Sequence, residues 1–154
     1  MIEYRKARLA DVEEMLELVQ FFADKGLMLP RSRHALYEGI REYQVARVGA
    51  KLAGIGALRV LWRDLAEIRT LATAAAYQKQ GIGRRLVQLL LAEADEMDCN
   101  SVFTLTYQTR FFEKMGFHRV EKESLPQKVW QECINCVKFP NCDEIALVYP
   151  ARET

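Results

Sequence analysis

The sequence lacks a charge surplus of either sign. Lys and Arg number 22 and Asp and Glu 21, for a formal net charge of +1. Sequence-independent binding to a polyanion such as nucleic acid draws on a basic excess, so no nucleic-acid partner is expected, although a local basic cleft is allowed. Long apolar runs are missing too. The longest uncharged stretch, Cys99 to Thr109, carries Asn, Ser, Thr and Gln and falls far short of the ~20 apolar residues of a membrane-spanning helix. There is no internal repeat and no low-complexity stretch. The opening Met-Ile-Glu-Tyr-Arg has no apolar core of an export signal. The expected compartment is therefore the cytoplasm, with no membrane partner and with the four cysteines reduced. What remains is ordinary globular composition: 154 residues, half of them apolar and 28% charged. That fits one domain over residues 1–154, able to bury roughly 68–70% of the unfolded chain's surface without a staple.

Periodicity supplies the elements. Ile2 to Arg8 alternates weakly and reads as a strand. Ala10 to Lys25 reads as a helix, with Asp11 as its cap and Glu14 three residues later as the other half of a capping box. Val12, Met15, Leu16, Leu18, Val19 and Phe22 form its apolar face, and Gly26 suits its exit. A loop from Leu27 to Arg33 leads to a short helix that Ser32 caps, with Leu36 and Ile40 on its buried side. Three strands follow: Tyr43 to Val48, Leu52 to Trp62 and Leu65 to Thr73. Gly49-Ala50 makes the first turn between them. Gly54 and Gly56 either weaken the second strand or mark a close backbone approach. Then come a helix from Gly81 to Met97, a strand Val102 to Thr106, a helix Thr109 to Met115 stopped by Gly116, and a strand Phe117 to Glu121. A short helix Pro126 to Cys136 and a last strand Ile145 to Tyr149 complete the chain. Runs of strands mixed with helices predict a mixed α/β layer fold rather than a doubly wound one.

The most informative segment is Gln78-Lys79-Gln80-Gly81-Ile82-Gly83-Arg84-Arg85, set between a strand and a long amphipathic helix. Unpaired N–H groups at a helix start, together with the dipole, attract an anion. Glycine lets a phosphate approach the main chain with no Cβ in the way, and Lys79, Arg84 and Arg85 add positive charge. The dinucleotide fingerprint requires a third glycine where Leu86 stands, and the P-loop's Gly-Lys-Ser/Thr is missing. From the glycines alone, a phosphate cradle and a tightly started helix stand as equal readings.

Gln78-x-x-Gly81-x-Gly83, after a strand and before a helix, resembles the acetyl-CoA pyrophosphate loop of the GNAT acetyltransferase superfamily. Phe112-Glu113-Lys114-Met115-Gly116-Phe117 resembles its second signature, a helix ending just before a strand. The element order matches over nearly the whole chain. A narrower likeness, to the stand-alone amino-acid N-acetyltransferases related to N-acetylglutamate synthase, lies in Leu29-Pro30-Arg31-Ser32, Leu105-Thr106-Tyr107 and Leu125-Pro126-Gln127-Lys128-Val129-Trp130. Cys133, Cys136, Phe139, Cys142, Asp143 and Glu144 extend it. The resemblance implies a GNAT fold, with a central mixed, mostly antiparallel sheet flanked by helices. It also implies acetyl transfer from acetyl-CoA to the α-amine of an amino acid, L-glutamate foremost, by direct attack in a ternary complex, as in arginine biosynthesis. A homodimer is left open.

Residue roles follow from that resemblance. Glu67 is the candidate general base, since a half-buried carboxylate can have a raised pKa and work near neutral pH. An ion pair with Arg69 or Arg59 is the equal alternative, and Glu144 is the rival base. Main-chain groups of Leu71, Ala72 and Thr73 are the candidates for the oxyanion donor and the pantetheine contact. Gln78, Lys79, Gln80, Gly81, Ile82, Gly83 and Arg84 are the candidates for the phosphates. Many relatives have Tyr where Phe112 stands, so Tyr107 becomes the candidate acid and Phe112 a packing residue that could touch the cofactor arm. For the acceptor's carboxylates the candidates are Arg31 first, then Lys128, with Ser32 beside Arg31. Arg33 and His34 read as solvated surface, and His118 as structural.

Cys133, Cys136 and Cys142 have the spacing Cys-x2-Cys-x5-Cys, whereas a closed zinc site wants four ligands. Three thiols that happen to lie close is the favoured reading. A structural zinc completed by His118 or Asp143 is the alternative, so no metal is expected. Two other functions stay open: acetylation of another amine, such as a protein N-terminus or a polyamine, and a non-catalytic module that senses acetyl-CoA or a metal.

Overall fold

The computed structural model describes residues 1–125 and 144–149. In chain order these form β1 (Ile2–Lys6), α1 (Val12–Ala23), α2 (Arg33–Glu38), β2 (Tyr43–Val48), β3 (Lys51–Trp62) and β4 (Leu65–Thr73). There follow α3 (Ile82–Glu96), β5 (Val102–Thr106), α4 (Thr109–Glu113), β6 (His118–Val120) and β7 (Ile145–Tyr149). The strands make one sheet in the order β1-β2-β3-β4-β5-β7-β6. β1 with β2, β2 with β3, β5 with β7 and β6 with β7 pair antiparallel, while β4 with β5 is parallel. The mixed, mostly antiparallel sheet expected from the sequence is thus the one the chain builds. The helix expected over Pro126 to Cys136 lies outside the described residues.

Contacts divide the chain into two compact units. The first is Met1–Arg59 with Ile68–Glu93; the second is Val60–Glu67 with the described residues from Ala94 onward. In the first unit α1 buries Val12, Met15, Leu16 and Val19, one stripe at helical spacing, among Leu36, Tyr43, Val45, Leu52, Ile55, Ala57 and Ala72. A separate cluster of Ala46, Ala53, Ile82 and Leu86 seats the start of α3 against β2 and β3. The second unit has its own core of Leu65, Phe103, Leu125 and Ala146. The same unit holds an aromatic series, Phe111 to Phe112 to Phe117 to Tyr149, with ring centroids 5.0, 5.1 and 5.2 Å apart in turn.

The capping box expected at Asp11 and Glu14 does not form. Asp11 caps no N–H of α1. Its Oδ2 accepts from Arg5 Nη1 at 2.8 Å and from the Arg8 N–H at 2.7 Å, and its Oδ1 accepts from Arg5 Nη2 and Arg47 Nη1, both at 3.0 Å. Glu14 takes Arg47 Nη2 at 2.8 Å and the Leu52 N–H at 3.1 Å. Two guanidinium groups on neighbouring strands outbid a helix N–H because charge-assisted hydrogen bonds are roughly twice as strong as neutral ones. Burial pushes the Asp11 carboxyl up, but the hydrogen bonds from Arg5 and Arg8 and the charges of Arg5 and Arg47 outweigh it and hold the group below the usual range. The cap expected at Ser32 does form, its Oγ accepting from the Ala35 N–H at 3.0 Å.

Candidate functional site

β4 ends at Thr73, and the chain reaches α3 through a 3₁₀ turn, Ala75–Tyr77, and the segment 78–81. The Ala74 N–H donates to Ala53 O at 2.8 Å and the Tyr77 N–H to Ala74 O at 2.9 Å. Gln78 Nε2 donates to Thr73 O at 3.2 Å, tying the segment back to the strand it left. Lys79 and Gly81 sit in the left-handed region, at φ +66° and +80°. A Cβ built on Gly81 would meet nothing within 4 Å. The torsion rather than crowding asks for glycine here, and the open space leaves the main chain approachable.

Gly81 O accepts the Arg85 N–H at 3.0 Å, the first i→i+4 bond of α3. The N–H groups of Ile82, Gly83 and Arg84 therefore lie in the first turn, where a helix has no internal acceptor to offer them. The positive end of the dipole adds to them. Ile82 is 1% exposed and anchors the turn, while Lys79, Gln80, Gly81 and Arg84 are exposed. The Arg85 guanidinium lies 6.0 Å from the Tyr4 ring centroid. Burial pushes the Tyr4 hydroxyl up, with the charge of Arg85 opposing. Leu71, Ala72, Thr73 and the segment Gln78 to Arg84, named separately from the sequence, thus belong to one continuous stretch of the first unit, from the end of β4 through a tied turn to the start of α3.

In β4 Leu65 and Ala66 are both buried, and from Ala66 to Arg69 the burial alternates, with Ala66 and Ile68 buried and Glu67 and Arg69 half-buried. Thr70 then takes φ +57°. A β-branched residue in the left-handed region is an outlier that the surrounding structure must hold in place, and such strain gathers at functional sites. No residue type in the sequence announces it. Glu67 lies three residues earlier, opposite Phe103 of β5.

In the second unit Tyr107 follows directly on β5 and is 38% exposed. Phe112 is 2% exposed, edge-on to Phe111 and Phe117, so its ring packs within the aromatic series. Glu144 is half-buried just before β7.

The segment ahead of α2 separates two arginines that the sequence could only rank. Arg33 is bound to Glu13 of α1 through Nε at 3.0 Å and Nη2 at 3.1 Å, and the Tyr37 hydroxyl donates to the same carboxylate at 3.2 Å. The Arg33 hydrogen bond holds the Glu13 carboxyl below its ordinary range. Arg31 is half-buried, with its Nε out of solvent. His34 faces Glu38 at 3.2 Å on the exposed side of α2. Lys128, Cys133, Cys136 and Cys142 lie outside the described residues. Among the described residues no group of three or more His, Cys, Asp or Glu is arranged around a metal position. No helix among them is long and apolar enough to cross a membrane.

Comparison with known proteins finds that the model of the acetyltransferase (GNAT) family matches residues 10–117. An uncharacterized N-acetyltransferase of Chlorobaculum tepidum is 42% identical over 144 residues, 94% of this chain and 93% of that protein. An amino-acid acetyltransferase of Mycobacterium tuberculosis is 39% identical over 131 residues, 83% of this chain and 75% of that protein. A crystal structure from Mycobacterium tuberculosis in complex with CoA superposes with a TM-score of 0.83 at 33% identity, covering 95% of this chain and 97% of that one.

Proposed function

Because the chain belongs to the acetyltransferase (GNAT) family, we propose that this acetyl-CoA-dependent N-acetyltransferase acts on the α-amine of an amino acid, with L-glutamate its first substrate and arginine biosynthesis its setting. The observation that carries the donor half is the segment Thr73 to Arg84: a left-handed glycine, an open approach and a helix start, next to exposed cations. The acceptor half is supported by the half-buried Arg31 and by the name of the 39% identical relative, amino-acid acetyltransferase.

The chemistry follows from these groups. Acetyl-CoA supplies a thioester carbonyl and a thiolate that leaves. Main-chain N–H groups at the start of α3 hold the diphosphate. Past Thr70, main-chain groups of Leu71, Ala72 and Thr73 pair with the pantetheine arm and face the carbonyl oxygen as negative charge develops on it. Glu67 takes the proton from the acceptor's ammonium, directly or through one water, so that the free amine attacks. Tyr107 is the candidate donor to the departing sulfur, which needs little help with an ordinary thiol pKa of about 8.5. Arg31 and Lys128 hold the acceptor's carboxylates.

The test is release of free thiol from acetyl-CoA, measured with a panel of amino acids, spermidine and short peptides. Turnover with glutamate is expected, and Glu67→Gln should lower kcat by about a hundredfold while CoA binding stays within twofold. Turnover with spermidine or a peptide but not with an amino acid would remove the acceptor assignment. CoA binding with no turnover on any acceptor would remove the catalytic one.

A further inference from the structure

We propose that Gly54, in the middle of β3, is a positioning residue for the diphosphate segment: the missing Cβ sets where the first turn of α3 sits and so where its N–H donors point. The inference rests on the acetyl-CoA reading above and deepens it.

A Cβ on Gly54 would stand 2.9 Å from Ile82 Cγ2, 3.2 Å from Ala72 O and 3.2 Å from Leu86 Cδ1. The first of these is closer than real Cβ atoms come. Ala72 O belongs to the main chain of the neighbouring strand and has little room to yield. Ile82 is β-branched, with essentially one χ1 rotamer open to it in a helix, and it is 1% exposed. Relief therefore falls on the first turn of α3 as a body. Ile82 is the first residue of that turn, between Gly81 and Gly83.

The residue before Gly54 acts at the other end of the same segment. Ala53 O accepts the Ala74 N–H at 2.8 Å, just after β4 ends. Ala53 is also where β3 carries one residue more than β2, since Ala46 faces Gly54 and Arg47 faces Leu52. Such a bulge re-aims the strand locally. Two consecutive residues of β3 thus fix both ends of the diphosphate segment, Ala53 at Ala74 and Gly54 at Ile82. The Gln78 to Thr73 bond closes it from within. Gly56 offers an internal contrast. A Cβ there would meet Leu71 Cδ1 at 3.0 Å and Leu90 Cδ1 at 3.2 Å, the flexible ends of leucine side chains and, on α3, two turns beyond Ile82.

Titration calorimetry with CoA and thermal unfolding, run on Gly54→Ala, Gly56→Ala, Ile82→Ala and the Gly54→Ala/Ile82→Ala double variant, tests this. Gly54→Ala is expected to bind CoA about tenfold more weakly. Gly56→Ala should lose thermal stability but clearly less CoA affinity than Gly54→Ala, because its nearest contacts, Leu71 Cδ1 and Leu90 Cδ1, are side-chain ends that turn away without moving the helix start. The double variant should recover most of the affinity lost in Gly54→Ala, because removing Cγ2 makes room for the added methyl. If Gly54→Ala does not fold alone, the double variant is compared with Ile82→Ala, and equal or tighter binding is expected. Wild-type affinity in Gly54→Ala, an equal loss in Gly56→Ala, or a double variant weaker than either single one would overturn the inference. A wild-type protein that binds no CoA would overturn the acetyl-CoA reading and this inference with it.

Discussion

The segments 73–85 and 31–37 are held in place by different means. The first is set by the main chain: left-handed Lys79 and Gly81, the Ala74 N–H on Ala53 O, and a helix start seated by Ile82. Of its long polar side chains, Gln78, Lys79, Gln80, Arg84 and Arg85 are exposed. The second is set by side chains: the Ser32 cap, and Arg33 and Tyr37 both on Glu13. A place built from the main chain tolerates exchange of its side chains, whereas one built from charge pairs depends on which charge pairs with which.

The largest expected effect comes from a third set of charges, deeper than either segment. Asp11 joins Arg5 of β1, Arg47 of β2 and the Arg8 N–H, with only 4% of its side chain exposed. Asp11→Asn takes the main counter-charge from Arg5 and leaves Arg47 with Glu14 alone, and should cost about 3 kcal/mol, since breaking a buried pair is far more damaging than losing an exposed one. The folded Asp11 carboxyl is held below its ordinary value. Its contribution is therefore complete above the unfolded value of about 3.9 and fades as pH falls through the lower folded one. Urea unfolding at pH 7 and pH 3 checks both points. The wild type should lose more stability on acidification than Asp11→Asn does. Equal losses would mean that Asp11 is not the group that matters there.

A smaller effect is expected in segment 73–85, proposed above to hold the diphosphate, and it separates torsion from charge. Gly81→Val puts a β-branched residue at φ +80°. The left-handed region costs such a residue about 1–2 kcal/mol, so the segment should leave its form and CoA binding weaken by about tenfold. Gln80→Arg, which adds a charge at an exposed position and leaves the Gln78 bond in place, should change binding by no more than about threefold. If the charge exchange proves the larger of the two, the segment is not main-chain built.

The same division decides what the sequence disclosed. The glycine pair at Gly81 and Gly83 disclosed the left-handed turn into α3, because glycine spacing reports main-chain geometry directly. The strand and helix order was legible for a similar reason, since periodicities of two and 3.6 report burial, as in Val12, Met15, Leu16 and Val19. Gly54 was legible only as one of two alternatives, a weakened strand or a close approach, and not as to what approaches. Side-chain partners were not legible. Asp11 and Glu14 have the spacing of a cap, and only the nearness of Arg5 and Arg47 across two strands turns them into an ion-pair centre. Thr70 gives no local signal, because a left-handed torsion on a β-branched residue is imposed by its surroundings. Arg31 and Arg33, two residues apart in one charged run, were ranked from the sequence, but the Glu13 carboxylate that holds Arg33 was not legible there.

That last pair gives the smallest and most discriminating prediction. Arg33 is 59% exposed at its side chain and Glu13 56%, so their ion pair is screened and contributes little. Arg33→Ala should therefore shift the KM for glutamate by less than twofold, and any shift should shrink further in salt. Arg31 sits more deeply, and a charge-assisted bond from it to an acceptor carboxylate is worth about 1 kcal/mol there, or about fivefold in KM. Arg31→Ala should raise the KM for glutamate by that factor and leave the KM for acetyl-CoA unchanged. Arg31→Lys should recover only part of the loss, because an ammonium keeps the charge but not the planar fork. If Arg33→Ala does as much as Arg31→Ala, the acceptor segment works as one electrostatic field rather than through one arginine. If neither moves KM, the acceptor's carboxylates are held elsewhere, with Lys128 the next residue to change.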